Sequence, residues 1–269
     1  MAVETIKLGL AGATGRMGKT LLDCLVSYPV LSLRAATASS SHPLLGKPIY
    51  QDVVLESRAE SLFEKADVII DFSAPESLSD YLDLAVRYQK PMVIGTTGLH
   101  EGHRSYLHDA AKHTAILYSA NMSLGITLMK RVVSTLTAAF GEGYDVEISE
   151  THHRYKVDSP SGTSLMLGEA IAQTRGVSLN DVARFERYGS IGPRRQGEIG
   201  FSVQRGGHSL CEHTLRFLGD EETLEITHRG NSRSVYANGA LKAACWIFGK
   251  SPGFYDMECV LGLKKADSI

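Results

Sequence analysis

The fold turns on Leu8–Leu25, "LGLAGATGRMGKTLLDCL". A short apolar strand runs into three glycines, Gly12, Gly15 and Gly18, and then directly into a helix-like segment. At such a helix start a dinucleotide's pyrophosphate meets backbone N–H groups and the positive end of the helix dipole. The spacing is G-x-x-G-x-x-G and not the common G-x-G-x-x-G. The reading therefore rests on the loop's place between strand and helix, and a tight turn with three incidental glycines is the alternative.

Working outward, β-branched runs alternate with helix-like segments: "IKLGLAG", "LSLRAATA", "DVIIDFS", "PMVIGTT" and "AILYSAN" are each followed by a turn or an amphipathic stretch. This pattern predicts an α/β fold with a Rossmann-like, doubly wound parallel sheet. Ligands bind outside the C-terminal ends of such strands, which marks Gly95, Thr96 and Thr97 and the stretch Ser119, Ala120, Asn121 and Met122. Ser73-Ala74-Pro75-Glu76 has capping-box spacing and predicts a helix start. After the second strand, "RAATASSSH" offers hydroxyls, Ser39 among them, and no acid to repel a 2′-phosphate. The segment is read either as tolerant of NADPH or as a polar loop that touches nothing.

Beyond "GITLMKRVVSTLTAAFG" the pattern changes. Val146/Ile148, Ile199/Phe201/Val203 and Leu224/Ile226 alternate with polar residues, which predicts a second, α+β domain on a mostly antiparallel sheet. Gly206-Gly207 and Gly219-Asp220 sit where hairpin turns are expected, and the inserted helix that begins near Ser161 should end at Gly176. From Ser234 the chain returns to helix.

The formal net charge of -2 and the 22% of charged residues give no sign of a polyanionic partner, so no nucleic acid is expected. No apolar run is long enough for a bilayer and no signal-type segment opens the chain, which makes the cytoplasm the expected compartment. The four cysteines, Cys24, Cys211, Cys245 and Cys259, form no C-x-x-C pair and read as reduced thiols.

"ETHHRYKVDSPSGT", Glu150–Thr163, concentrates chemistry. His152 and His153 would face opposite sides of a continuing strand, so no metal site is expected there. Arg154 and Lys156 follow, and then Ser161, Gly162 and Thr163 open a helix whose amides and hydroxyls suit an anion. Cations beside an anion-binding helix start suggest a carboxylated small-molecule substrate, and a neighbouring histidine supplies a proton near neutral pH. A nucleotide site in one domain and this segment in the other point to reduction of a polarised double bond in a small acid.

With "GATGRMG", "GTTG", "SANMSLG", "ETHHRYKVDSPSGT" and "ITHRGNSRSVYANGA" in this order, the chain closely resembles the dihydrodipicolinate reductase family of lysine biosynthesis. The resemblance implies NADPH or NADH as cofactor, a cyclic imine dicarboxylate as substrate, tetrahydrodipicolinate as product and a homotetramer. It implies a dinucleotide-binding domain over residues 1–123, completed by 234–269, and a substrate-binding and oligomerisation domain over 124–233. By the same resemblance Gly12, Ala13, Thr14, Gly15, Arg16, Met17 and Gly18 cradle the pyrophosphate, and Gly95, Thr96, Thr97 and Ser119–Met122 border the nicotinamide. His152 and Lys156 are the proton donors, with the choice between them open. His153, Ser161, Gly162 and Thr163 hold carboxylates, assisted by Arg233. Tyr155 replaces a frequent histidine, Met122 a frequent aromatic, and Ala38-Ser39 a Glu-Arg pair found in some members, which leaves the coenzyme preference open. A semialdehyde dehydrogenase, the competing enzyme class, needs a nucleophilic cysteine at a turn beside the cofactor, and none of the four is so placed.

Overall fold

In chain order the elements are β1 (Ile6–Ala11), α1 (Arg16–Leu25), β2 (Leu31–Thr37), β3 (Pro48–Tyr50), β4 (Val53–Glu56), α2 (Glu60–Lys65), β5 (Val68–Asp71), α3 (Leu78–Tyr88), β6 (Met92–Ile94), α4 (Glu101–Ala111) and β7 (Ala115–Tyr118). There follow α5 (Leu124–Phe140), β8 (Asp145–His152), α6 (Gly162–Thr174), α7 (Leu179–Val182), β9 (Ala183–Arg184), β10 (Ile199–Arg205), β11 (Cys211–Leu218), β12 (Thr223–Gly230), α8 (Ser234–Ile247), β13 (Gly253–Tyr255) and α9 (Met257–Val260). The structure is a computed structural model that describes residues 5–264; residues 1–4 and 265–269, the ends of the expected first domain, lie outside the described residues. The chain divides into two units, one formed by the chain up to Leu124 together with the chain from Arg233 on, the other by Gly125–Ser232. No helix among the described residues is long and apolar enough to cross a membrane.

The first unit carries the expected doubly wound sheet, in the order β13-β7-β6-β5-β1-β2-β4-β3, parallel except at the β3 edge. β5 is buried along its whole length, as its unbroken Val-Ile-Ile run requires of a strand covered on both faces. Val68 and Ile70 enter the apolar cluster that includes residues of α1 and α8, whereas Ile69 enters the cluster on the other face with Leu62, Leu78 and Leu82. Each such side chain contributes about 1.5–3 kcal/mol when fully buried. The order reverses between β1 and β5, so the turns that leave these two strands lie side by side at the switch point. The Ser73 capping box does not form: a short 3-10 turn over Pro75–Ser77 precedes α3, and the Ser73 hydroxyl donates to Asp71 instead.

In the second unit the sheet runs β12-β11-β8-β10-β9 and is mixed, not mostly antiparallel. β10 lies parallel to β8, because the long connection that contains α6 returns the chain in the same direction, whereas β11 lies antiparallel to β8 on its other edge. Gly206-Gly207 is therefore no hairpin. It carries the chain across the end of β8, where the Gly206 amide donates to the His152 carbonyl at 3.0 Å and the Arg154 amide to the Gly207 carbonyl at 3.4 Å. Gly219 does close a hairpin, between β11 and β12. α6 ends shortly before Gly176, which takes a left-handed φ of 71°. Along β8 every second residue is buried, so Val146 and Ile148 share the inward face with Glu150 and His152.

Candidate functional site

The glycine loop of the first unit is shaped by two close approaches. Gly12 has a φ of 73°, and a Cβ there would lie 2.4 Å from the Phe72 carbonyl oxygen. A Cβ on Gly18 would lie 2.4 Å from the Gly12 oxygen, so only glycine lets α1 start this close to the loop. Gly15 is exposed and caps α1 with no side-chain hydrogen bond, and the first turn of α1 holds no acid. The Gly15 amide donates to the Gly12 carbonyl at 3.1 Å and tightens the loop, and a helix start without a competing carboxylate fits the pyrophosphate of a dinucleotide. Arg16 is exposed, Thr14 and Met17 are half-buried, and Ala13 is buried, with its amide donating to the Thr37 carbonyl at 3.0 Å. Ser39, just past β2, is exposed.

The other strand ends of this unit are braced from below. Asp71 is fully buried and accepts from the Ser73 amide at 2.9 Å, the Ser73 hydroxyl at 2.5 Å and the Thr96 hydroxyl at 2.9 Å. Burial raises its pKa, and these three donors oppose the shift without reversing it. Gly95 is packed under the Phe72 ring, where a Cβ would lie 2.3 Å from a ring carbon. The Ser119 hydroxyl donates to the Asn121 carbonyl at 2.7 Å, and the Asn121 side-chain oxygen accepts from the Ser123 amide at 2.9 Å. Met122 is a core residue: it is buried, and its carbonyl lies against Gly239 of α8. Thr97 and Ala120 are the exposed members of these two segments.

In the second unit a buried carboxylate organises the histidine segment. Glu150 accepts from the Ser161 amide at 3.1 Å, from the Ser161 hydroxyl, from the Ser164 hydroxyl at 2.5 Å and from the Arg205 guanidinium at 2.7 Å. Burial pushes its pKa up, but the hydrogen bonds from Ser161, Ser164 and Arg205 win and set it at about 2. Ser161 in turn caps α6 by accepting from the Ser164 amide at 3.2 Å. One acid thus fixes the first turn of α6 to the strand that ends in His152. Space is open over Gly162, and Thr163 is half-buried beside it.

His152 is 5% exposed, and its Nδ1 is buried without a hydrogen bond, 3.8 Å from Glu150. Burial takes its pKa down to about 4; Glu150 opposes this, and the cations Lys156 and Arg205 add to it. Lys156 reaches both oxygens of Asp158 at 2.8 Å, so Asp158 is its counter-charge. His153 is half-buried, outside the strand, and accepts from the Tyr155 amide at 3.2 Å. Arg233 belongs to the other unit, where it immediately precedes α8.

Four residues of this cluster escape sequence reasoning: Glu150, Ser164, Arg205 and His213. The ring of His213 stands edge-on to that of His152, with centroids 5.1 Å apart, and burial holds its pKa at about 4 as well. Its Nε2 lies 3.1 Å from the Ser161 oxygen. The available signal was parity, since Glu150 shares the inward phase of Val146, and His213 that of Leu215 and Phe217.

Residues 6–122 match the family described as dihydrodipicolinate reductase, N-terminus, and residues 125–261 match its C-terminus counterpart. A 4-hydroxy-tetrahydrodipicolinate reductase from Burkholderia thailandensis is 41% identical over 268 residues, which cover 97% of this chain and 100% of the relative. One from Pseudoalteromonas translucida is 43% identical over 263 residues, covering 96% of this chain and 98% of the relative. Among solved structures, a dipicolinate-bound dihydrodipicolinate reductase from Paenisporosarcina superposes with a TM-score of 0.78 at 21% identity, over 94% of this chain and 97% of that one. The scyllo-inositol dehydrogenase of Lactobacillus casei shares the fold with a TM-score of 0.59 at 14% identity, over 98% of this chain and 96% of that one.

Proposed function

The chain belongs to the dihydrodipicolinate reductase family, and from that premise we propose how its residues divide the NAD(P)H-dependent reduction of 4-hydroxy-tetrahydrodipicolinate to tetrahydrodipicolinate, on the diaminopimelate route to lysine: the 4-hydroxyl leaves as water, and the conjugated imine that remains takes up one hydride and one proton. The backbone from Gly12 to Gly18 holds the pyrophosphate of NADH or NADPH. Thr97 and Ala120 border the nicotinamide, while Gly95, Thr96, Ser119, Asn121 and Met122 shape their two segments. When bound, the nicotinamide supplies the hydride. Ser39 and its neighbours admit either coenzyme.

In the second unit, His153, Ser161, Gly162 and Thr163 take the carboxylates of the cyclic imine, and Lys156 stabilises negative charge that develops on the ring. The observation that carries this reading is the Glu150–Ser161 junction, which ties the anion-binding helix start to the strand bearing His152. His152 is neutral near pH 7 in the free chain, because burial holds it at about 4. Two carboxylates beside it act in the opposite direction, so binding itself loads His152 with the proton that completes the reduction. The chain works in the cytoplasm as a homotetramer and takes no nucleic acid.

Pyridine-2,6-dicarboxylate tests the site. It should compete with substrate in an assay that follows NAD(P)H oxidation while the preceding synthase supplies the cyclic imine. Its binding should also draw protons from a weakly buffered solution, an uptake that His152→Gln removes. Equal inhibition by the monocarboxylate sinks the two-carboxylate site, and uptake unchanged in His152→Gln moves the proton to another residue.

A further inference from the structure

Cys211 and His213 lie two residues apart on β11, hence on one face of the sheet, and His213 pairs directly with His228 on β12. One ligand atom from each of the three lies within 4.8 Å of the other two. Opposite Cys211 stands Gly230, where a Cβ would come within 2.6 Å of the Cys211 sulfur. The glycine leaves the sulfur its place beside the two imidazoles.

His213 decides what this cluster can do. The single proton of the Ser161 hydroxyl is given to Glu150, so the 3.1 Å contact between Ser161 and His213 requires Nε2 to carry hydrogen. The lone pair of His213 is therefore on Nδ1, which is buried and makes no hydrogen bond in a side chain only 2% exposed. A buried acceptor left unmatched costs free energy. A histidine whose other nitrogen donates into a carboxylate-linked network is also the usual support for a metal-bound imidazole.

We propose that Cys211, His213 through Nδ1, and His228 bind one divalent ion of the zinc and cobalt class, with water as the fourth ligand. A thiolate with two imidazoles suits these borderline-soft ions and not Mg²⁺ or Ca²⁺. On binding, the sulfur–metal bond forms as the S–H bond breaks, and the thiol proton leaves to solvent. The alternative set, Glu150, His152 and His213, would draw on a carboxylate already committed to Ser161, Ser164 and Arg205. His228 is half-buried on β12, an edge strand, which gives the ion an approach. The site is coupled through Ser161 to the cap of α6.

Titration of chelator-treated protein with Co²⁺, followed by absorption, tests the assignment. Saturation at one ion per chain is expected, with a thiolate-to-cobalt charge-transfer band, displacement by Zn²⁺ and indifference to Mg²⁺. Cys211→Ser should remove that band and weaken Co²⁺ binding by about tenfold or more. His228→Gln should weaken binding comparably while the band persists at saturation, and circular dichroism of both metal-free variants reports on folding. A charge-transfer band that survives Cys211→Ser, or affinity unmoved by both substitutions, overturns the proposal. So does the absence of any thiolate-to-cobalt band in the unsubstituted chain, an outcome that needs no variant.

Discussion

At the end of β5 the chain buries Asp71, and near the end of β8 it buries Glu150, 0% and 2% exposed respectively. Asp71 accepts from one amide and two hydroxyls. Glu150 accepts from one amide, two hydroxyls and a guanidinium. Burial lifts the pKa of Asp71 despite its donors, whereas that of Glu150 falls to about 2. Two things differ: Asp71 is taken more completely out of water, and Glu150 has, besides the Ser161 and Ser164 hydroxyls that lower its pKa most, the Arg205 guanidinium as a charged donor. Near a loop proposed to hold a pyrophosphate, Asp71 holds Ser73 and Thr96 in place from a buried position. Beside two buried histidines, a permanent anion keeps Ser161 and the start of α6 in place.

The largest expected effect comes from removing that cation. Arg205→Met leaves Glu150 buried and unpaired and should cost about 3–5 kcal/mol in urea unfolding, with partial recovery in Arg205→Lys. A variant within about 1 kcal/mol of the parent breaks the contrast. Lys156→Ala should lower kcat by roughly 10²-fold, about 2.7 kcal/mol, while NADPH titration followed by fluorescence stays unchanged. Parallel loss of both would mean that the second unit's charges do not serve the chemistry selectively.

Acid sharpens the contrast further. His152 and His213 are held at about 4 against an ordinary 6.5, so between these values the unfolded chain binds protons that the folded chain refuses. Stability should fall as pH drops through this window by roughly 1–3 kcal/mol, and Glu150 adds further loss from 4.5 toward 2. Thermal melts across the range should show it, and His213→Gln should flatten the slope; an unaltered slope assigns the loss elsewhere. Smallest of all is Asp71→Asn. A raised pKa means a contribution that is full below the unfolded value of 3.8 and lost as pH rises, so at neutral pH the amide should cost less than about 1 kcal/mol by chemical denaturation. A large loss would show that the charge of Asp71 is needed.

The sheet of the first unit was readable from its strand-and-turn punctuation, because parallel strands buried on both faces are apolar throughout and the glycine loop sits at the first of them. The order of strands in the second unit was not. Gly206-Gly207 reads as a turn, but which strands it joins depends on pairings of β8 with β10 and β11, across more than fifty residues of sequence. Ser73 reads as a cap only while its competing partner, Asp71, is out of view. His152, Lys156 and Ser161 were visible because they are close in sequence, whereas Glu150 looks like a surface acid until Ser161, Ser164 and Arg205 are folded around it. Parity alone pointed it inward, against the chemistry of its side chain.

β8 is paired on both edges, with β10 from Val146 to His152 and with β11 from Asp145 to Thr151, and the Gly206-Gly207 crossing secures its end. Its amides therefore belong to the slowest class in hydrogen exchange, released with the opening of the whole second unit. His152 is thus carried by one of the two strands of this unit, β8 and β11, that are paired along both edges. Lys156 and Asp158, on the irregular segment just after it, can exchange and relax on far shorter timescales without disturbing the histidine's position.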